Sequence, residues 1–304
     1  MDEQLVAQII LSFFNERVEA VVPIVGRGSV NQVFIVETAN RKVVVRLNDA
    51  ENSWREYQKE KWCFEQASVK GIPSPVVLTL GKVGSVTYML QTLVVGDNGD
   101  DGHFDKLAIW RKLGEYAKII HAIKIDHASN AQLPHFDNFE LFWPRFLAYN
   151  IESLTSDDEL IKLGVLSKAQ SVVIRQLFEE ITERQYQFGL CHRDIALRNT
   201  IIGEGGIVNL LDYGCAEINI VPHTDLAVFL EWQLTENYPS KAEITAFLAG
   251  YGISQAEFRA MQPEIETLAL LRAFDTLRWA IERNPPAIAD KVRTARKVLE
   301  YKLG

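Results

Sequence analysis

The sequence predicts an α+β fold built as two lobes, and three observations carry that expectation. Short β-branched runs crowd residues 18–94, and from Gly96 onward long helical periodicities replace them. At 304 residues, with 47% hydrophobic and 24% charged, the chain is long enough for two packed lobes sharing a cleft. The expected division is residues 1–93, a five-stranded and mostly antiparallel sheet lobe, and residues 94–304, a larger helical lobe.

Taken in order, residues 3–15 read as an amphipathic helix. "VEAVVPIV" (18–25), "QVFIVET" (32–38) and "RKVVVRL" (41–47) follow as strands, the last two joined at Ala39-Asn40 by a hairpin turn. A charged helix spans 53–69 until "GIPSP" breaks it, and two more strands lie near 76–81 and 85–94. "MLQTLVVG" (89–96) crosses to the second lobe through the polar, glycine-rich "DNGDDGHFDK". Helical patterns then cover 106–124, 137–150, 168–188 and several stretches from 224 on.

Charge and cysteine content exclude some functions. A net charge of −8 argues against a nucleic-acid partner, which clustered Lys and Arg would serve. An acidic surface suits a cationic ligand, although acidic solubility is the commoner reason for it. The apolar patch from Leu5 to Phe14 is too short to span a bilayer and lacks a basic export start, so no membrane role is expected. Three cysteines, spaced like no metal site, point to a reducing cytoplasm, with Cys191 and Cys215 as small buried fillers.

Four segments carry candidate chemistry. In "VGRGSVNQVF", Gly26 and Gly28 let a backbone approach a ligand and expose N–H groups to phosphate oxygens; a tight hairpin with no ligand explains them equally. Arg46, on the third strand, is either a surface residue on an edge strand or a buried charge paired with a carboxylate on the next helix, Glu60 before Glu56. "LCHRDIALRNTII" (190–202) places His192, Arg193, Asp194 and Asn199 on a tight loop between apolar ends. "IVNLLDYGCA" (207–216) is an apolar strand ending in Asp212-Tyr213-Gly214. Asp194, Asn199 and Asp212 offer hard oxygens of the kind that suit Mg²⁺.

Together these segments resemble the protein-kinase-like fold, and within it the aminoglycoside phosphotransferase and choline kinase family. His192-Arg193-Asp194 with Asn199 is similar to the catalytic loop H-R-D-x-x-x-x-N, and Asp212-Tyr213-Gly214 to the D-F-G metal-binding turn. The resemblance implies an ATP- and Mg²⁺-dependent phosphotransferase, with the nucleotide on residues 1–93 and the catalytic loop and acceptor site on 94–304. Asp194 would deprotonate the acceptor hydroxyl, and Asn199 and Asp212 would hold Mg²⁺. Gly26 and Gly28 would cover the phosphates, Arg46 would stand where a lysine is usual, and Glu60 would be its partner. Val33 and Val44 would roof the adenine, or serve plainly as core, and the backbone of Gln91, Thr92 and Leu93 would bond its edge. Arg198 resembles the charge-stabilising arginine of tyrosine kinase loops.

Asn31 in place of a third loop glycine, only ten residues between Gly214 and "DLAVF", and the helix "LGEYAKIIHAI" resemble the small-molecule branch. Two rivals stay open: a protein kinase with the same chemistry, and a catalytically silent nucleotide-binding protein, the latter because of Arg46. Asp225 would brace the catalytic loop as an acceptor for its N–H groups, with His192 packed beneath it. His121, His127, His135 and His223 show no metal-ligand spacing. The acceptor site is expected near "FWPRF" (142–146), Glu231 and "FDTLRWAIER" (274–283), where Asp275 and Glu282 either face a cationic ligand or form an ordinary solvated face.

Overall fold

The computed structural model describes residues 2–24, 31–123 and 139–304. Gly26, Gly28, His127 and His135 lie outside the described residues. In chain order the elements are helix α1 (Asp2–Phe14), strands β1 (Val18–Ile24), β2 (Gln32–Thr38) and β3 (Lys42–Asn48), helix α2 (Ser53–Val69), and strands β4 (Val77–Val83), β5 (Val86–Thr92) and β6 (Asp97–Asn98). Helices α3 (Lys106–His121), α4 (Phe139–Glu152), α5 (Glu159–Lys162) and α6 (Lys168–Thr182) lead to strands β7 (Phe188–Cys191), β8 (Thr200–Ile202), β9 (Val208–Leu210) and β10 (Glu217–Ile220). Helices α7 (His223–Glu236), α8 (Lys241–Tyr251), α9 (Gln255–Arg283) and α10 (Ile288–Leu303) follow. The chain forms two compact units, Met1–Ile109 with Ala196–Ala216, and Trp110–Ile195 with Glu217–Gly304.

The first unit holds the five-stranded antiparallel sheet the sequence predicts, in the order β1-β2-β3-β5-β4. Alternation along β3 sends Val43, Val45 and Leu47 into a core with Val6, Ile9 and Ile10, which recur at helical spacing on α1. The pairing register aligns Val33 with Arg46, Arg46 with Met89 and Val44 with Gln91. Directly paired residues share a sheet face, so Val33, Val44, Arg46, Met89 and Gln91 all lie opposite the α1 core. Gly71, at φ +80, ends α2 by donating its N–H to the Ser68 carbonyl, while Ile72 donates to Ala67. A smaller sheet, β6-β8-β9, completes this unit.

In the second unit, β7 pairs antiparallel with β10. This corrects the helix expected over 168–188. It stops at Thr182, and Phe188 is already in register with Ile220. A Cβ at Gly189 would lie 2.5 Å from the His121 carbonyl oxygen, so the bare backbone permits that approach. The strand expected over 207–216 is likewise cut to β9 in the first unit, after which the chain turns at Gly214-Cys215, with the Ala216 N–H donating to the Tyr213 carbonyl. Cys191 is buried as expected, but Cys215 is exposed. Trp110 packs edge-on against Phe229 at 5.5 Å in the helical core. Among the described residues no helix is long and apolar enough to cross a membrane.

Candidate active site

In the first unit the strand arginine and the helix acid meet. Arg46 Nη1 donates to Glu60 Oε1 at 2.5 Å, and both side chains are buried. The same Glu60 oxygen accepts the Tyr213 N–H at 3.4 Å, which ties α2 to the turn after β9. The Tyr213 ring packs edge-on against Phe64 of α2 at 5.1 Å. Burial pushes the Glu60 carboxyl up to about 7, against the pull of Arg46, and the nearby charge of Asp212 adds to the push. Burial opposes the charge on Arg46 as well, but Glu60 and Asp212 together hold its guanidinium above its ordinary value. A buried arginine keeps its charge here because two carboxylates surround it.

Asp212 is oriented from its own turn, since one of its carboxylate oxygens accepts the Gly214 N–H at 2.7 Å. Asn199 is drawn alongside, because its carbonyl accepts the N–H of Leu211 at 2.9 Å. Arg198 is exposed on the short 3₁₀ turn Leu197–Asn199, and Asn98 Nδ2 donates to its carbonyl at 2.9 Å. Lys59 escaped the sequence reading; its Nζ donates to the Gly214 carbonyl at 2.9 Å. Asn31, singled out in the sequence in place of a third loop glycine, accepts through Oδ1 from both Asn48 Nδ2 (2.9 Å) and Tyr57 Oη (3.0 Å). Lys59 adjoins Glu60 on a charged helix, so no local pattern distinguishes it from a solvated lysine.

Val44 is buried and Val33 half-buried on the face that carries Arg46. Gln91 sits on this face too, and among the described residues its buried Oε1 has no hydrogen-bond partner. Thr92 differs: it pairs with Val43, on the α1 face, and its N–H is taken by the Val76 carbonyl at 2.9 Å. Leu93 lies one residue past the strand.

In the second unit, β7 delivers His192, Arg193 and Asp194. Asp225, at the start of α7, accepts the N–H of His192 at 3.3 Å and of Arg193 at 2.6 Å, the loop acceptor the sequence led us to expect. His121 Nε2 meets Asp225 Oδ2 at 2.8 Å, and its Nδ1 meets Tyr251 Oη at 2.9 Å. Burial would raise the Asp225 pKa, but His121, His192 and the Arg193 N–H outweigh it and hold the carboxyl below its usual value. Arg193 sits at φ +63, a conformation costly for a side-chain-bearing residue, and it is fixed there by its N–H bond and an ion pair to Glu217. His192 is fully buried, and its Nδ1 accepts the Asp194 N–H at 3.3 Å.

His121, Cys191 and Asp225 come within 4.8 Å of one another, a grouping their sequence spacing conceals. It is a poor metal site. Burial lifts the Cys191 thiol well above its ordinary pKa, and the Asp225 oxygens are already occupied by N–H donors and His121.

Beside the loop, the second unit has a pocket of about 810 Å³ between α4, α9 and the segment carrying Arg193 and Glu217. Phe142, Trp143 and Phe146 of "FWPRF" line it, as do Asp275, Trp279 and Glu282 of α9. Glu231 is not among the lining residues; it is buried in an ion pair with Arg272, which is. Burial raises the Asp275 pKa, opposed by Asn150 and Arg278.

The fold is α+β and protein-kinase-like, and the family match gives the class, a kinase-type phosphotransferase. The chain belongs to the phosphotransferase enzyme family, whose model matches residues 21–263. Aminoglycoside phosphotransferase APH(4)-Ia is similar in structure, with a TM-score of 0.68 at 16% identity over 99% of this chain and 100% of that one. Spectinomycin phosphotransferase APH(9)-Ia, solved with ADP and spectinomycin, gives 0.62 at 13% identity over 99% and 97%. The gentamicin complex of APH(2")-IIa gives 0.63 at 15% identity over 98% of each chain. No curated protein sequence matches the chain.

Proposed function

We propose that this phosphotransferase moves the γ-phosphoryl group of ATP to a hydroxyl of a small molecule, with Mg²⁺ as cofactor. The observation that carries the reading is the buried Arg46–Glu60 pair with Asp212 beside it, locked to the turn through the Tyr213 N–H. Three charged groups collected at one sheet face, at the cost of burial, suit a triphosphate and its cation better than a structural role.

The residues present fit both groups. The unpartnered Gln91 Oε1, on the apolar face with Val33 and Val44, would accept from an amino group of adenine, and Leu93 is the member of 91–93 whose backbone extends beyond the sheet ladder. Gly26 and Gly28 would give their N–H groups to phosphate, and Arg46 and Arg198 would offset phosphoryl charge. Asn199 and Asp212 supply the oxygen donors that Mg²⁺ prefers. Bound there, the ion would neutralise phosphate charge. ADP and spectinomycin together on APH(9)-Ia support a nucleotide and a small acceptor on the same fold.

Asp194 takes the acceptor's hydroxyl proton as that oxygen bonds to the γ-phosphorus, while the bond to the bridging oxygen breaks and leaves ADP. His192 positions Asp194 through its N–H, and Asp225 fixes the backbone beneath. Asp194→Asn is expected to cut kcat by on the order of 10² or more while ATP affinity, measured by calorimetry, stays within about twofold. Undiminished ADP release in that variant would remove Asp194 from this role.

A further inference from the structure

The pocket of the second unit says something about the acceptor, on condition that the phosphotransferase reading holds. Its size, about 810 Å³, matches a drug-sized ligand and leaves a small amino alcohol largely surrounded by empty space.

Its charges nearly cancel. Three carboxylates, Glu217, Asp275 and Glu282, line it together with four guanidiniums, Arg145, Arg193, Arg272 and Arg283. Glu217 is already bound to Arg193, and Arg272 to Glu231. Asp275 receives the Asn150 amide at 3.3 Å. A ligand with several ammonium groups would find too few free carboxylates, and a desolvated charge without a partner is costly.

What the pocket offers in quantity is aromatic surface: Phe139, Phe142, Trp143, Phe146, Tyr149 and Trp279. Trp143 and Phe146 are stacked at 5.9 Å, and Phe139 lies within 5.7 Å of both ring centres. Trp279, Phe142 and Tyr149 are 50%, 48% and 44% exposed, so large rings stand open to whatever fills the space. On α9, Asp275, Trp279 and Glu282 fall at i, i+4 and i+7, which sets one indole between two carboxylates on a single helix face. That stripe has room for one ammonium beside an apolar body.

We infer that the acceptor is an amphipathic alcohol with an aryl or fused-ring body and at most one amine, rather than a polyamine sugar or a small amino alcohol. The test titrates three probes into the full chain with Mg²⁺ and AMP-PNP by calorimetry: propranolol as a naphthyl amino alcohol, neomycin as a polyamine sugar, and choline. Propranolol is expected to bind at least tenfold more tightly than the other two. Trp279→Ala and Phe142→Ala, both half-exposed sites, should weaken it tenfold or more with far-UV circular dichroism unchanged, whereas Val172→Ala, on the open face of α6, should not. Tighter binding of neomycin or choline, no propranolol binding, or indifference to both aromatic variants overturns the inference. ADP release with ATP is followed in parallel: selective binding without ADP release overturns the phosphotransferase reading and supports the acceptor class, and ADP release with neomycin alone does the reverse.

Discussion

Glu60 in the first unit and Asp225 in the second solve one problem in two ways. Each is a buried carboxylate with a basic side chain beside it, and each accepts backbone N–H groups of a functional segment: Tyr213 in one case, His192 and Arg193 in the other. Their acidities move in opposite directions. Glu60 receives one long N–H bond and feels the negative charge of Asp212, so burial prevails and the pKa rises to about 7. Asp225 receives two N–H groups and has two histidines nearby, so burial loses and the pKa falls. The contrast teaches that the donors around a buried acid, more than its depth, decide whether it is a comfortable anion. Asp225 is set up as a permanent strut. Glu60 is an anion only at some cost, because burial and the charge of Asp212 both work against its ionisation.

The contrast can be broken by substitution. The largest expected effect is from Asp225→Ala, which strands two loop N–H groups and His121 and should cost about 3–5 kcal/mol in urea unfolding. Glu60→Gln keeps an acceptor for Arg46 and Tyr213 and should cost closer to about 1 kcal/mol. The pH dependence of the urea midpoint sharpens the comparison. With its folded pKa above the unfolded 4.5, Glu60 contributes most below pH 4.5, and its contribution is lost as pH rises toward about 7; Glu60→Gln should remove that decline. With its folded pKa below 3.8, Asp225 contributes fully above that value and loses its contribution as the solution becomes more acidic, a loss Asp225→Asn should abolish. The smallest effect is expected from Tyr251→Phe, which removes the hydroxyl on His121 Nδ1 and should cost about 1 kcal/mol by thermal or urea unfolding. Equal pH profiles for Glu60→Gln and Asp225→Asn would erase the distinction between the two acids.

The parts of this molecule legible in the sequence are those with local causes. The five strands announce themselves by β-branched runs and turn residues, and the alternation in β3 puts Arg46 on the face away from Val43, Val45 and Leu47, which pack against α1. Of the two alternatives the sequence left open for Arg46, burial selects the pair with Glu60, because a buried arginine demands an anion. Legibility fails where a distant partner decides the outcome. Phe188 looks like the last residue of a helix until Ile220 claims it for the strand Phe188–Cys191. His121 looks idle because its partner lies 104 positions away, and Lys59 because the carbonyl it holds lies 155 positions away. The segments "FWPRF" and "FDTLRWAIER" do line one pocket, but the sequence does not reveal that Arg193 and Arg272 line it too, paired with Glu217 and Glu231.

Position 46 carries a guanidinium on the sheet face where a nucleotide is proposed to lie, and that has a practical side. A delocalised cation offers no lone pair to an electrophile, so reagents that acylate primary amines next to a bound nucleotide will leave this residue untouched. Chemical-proteomic surveys that count kinases by such tagging would pass this enzyme over at that position, however well it binds the probe's nucleotide portion.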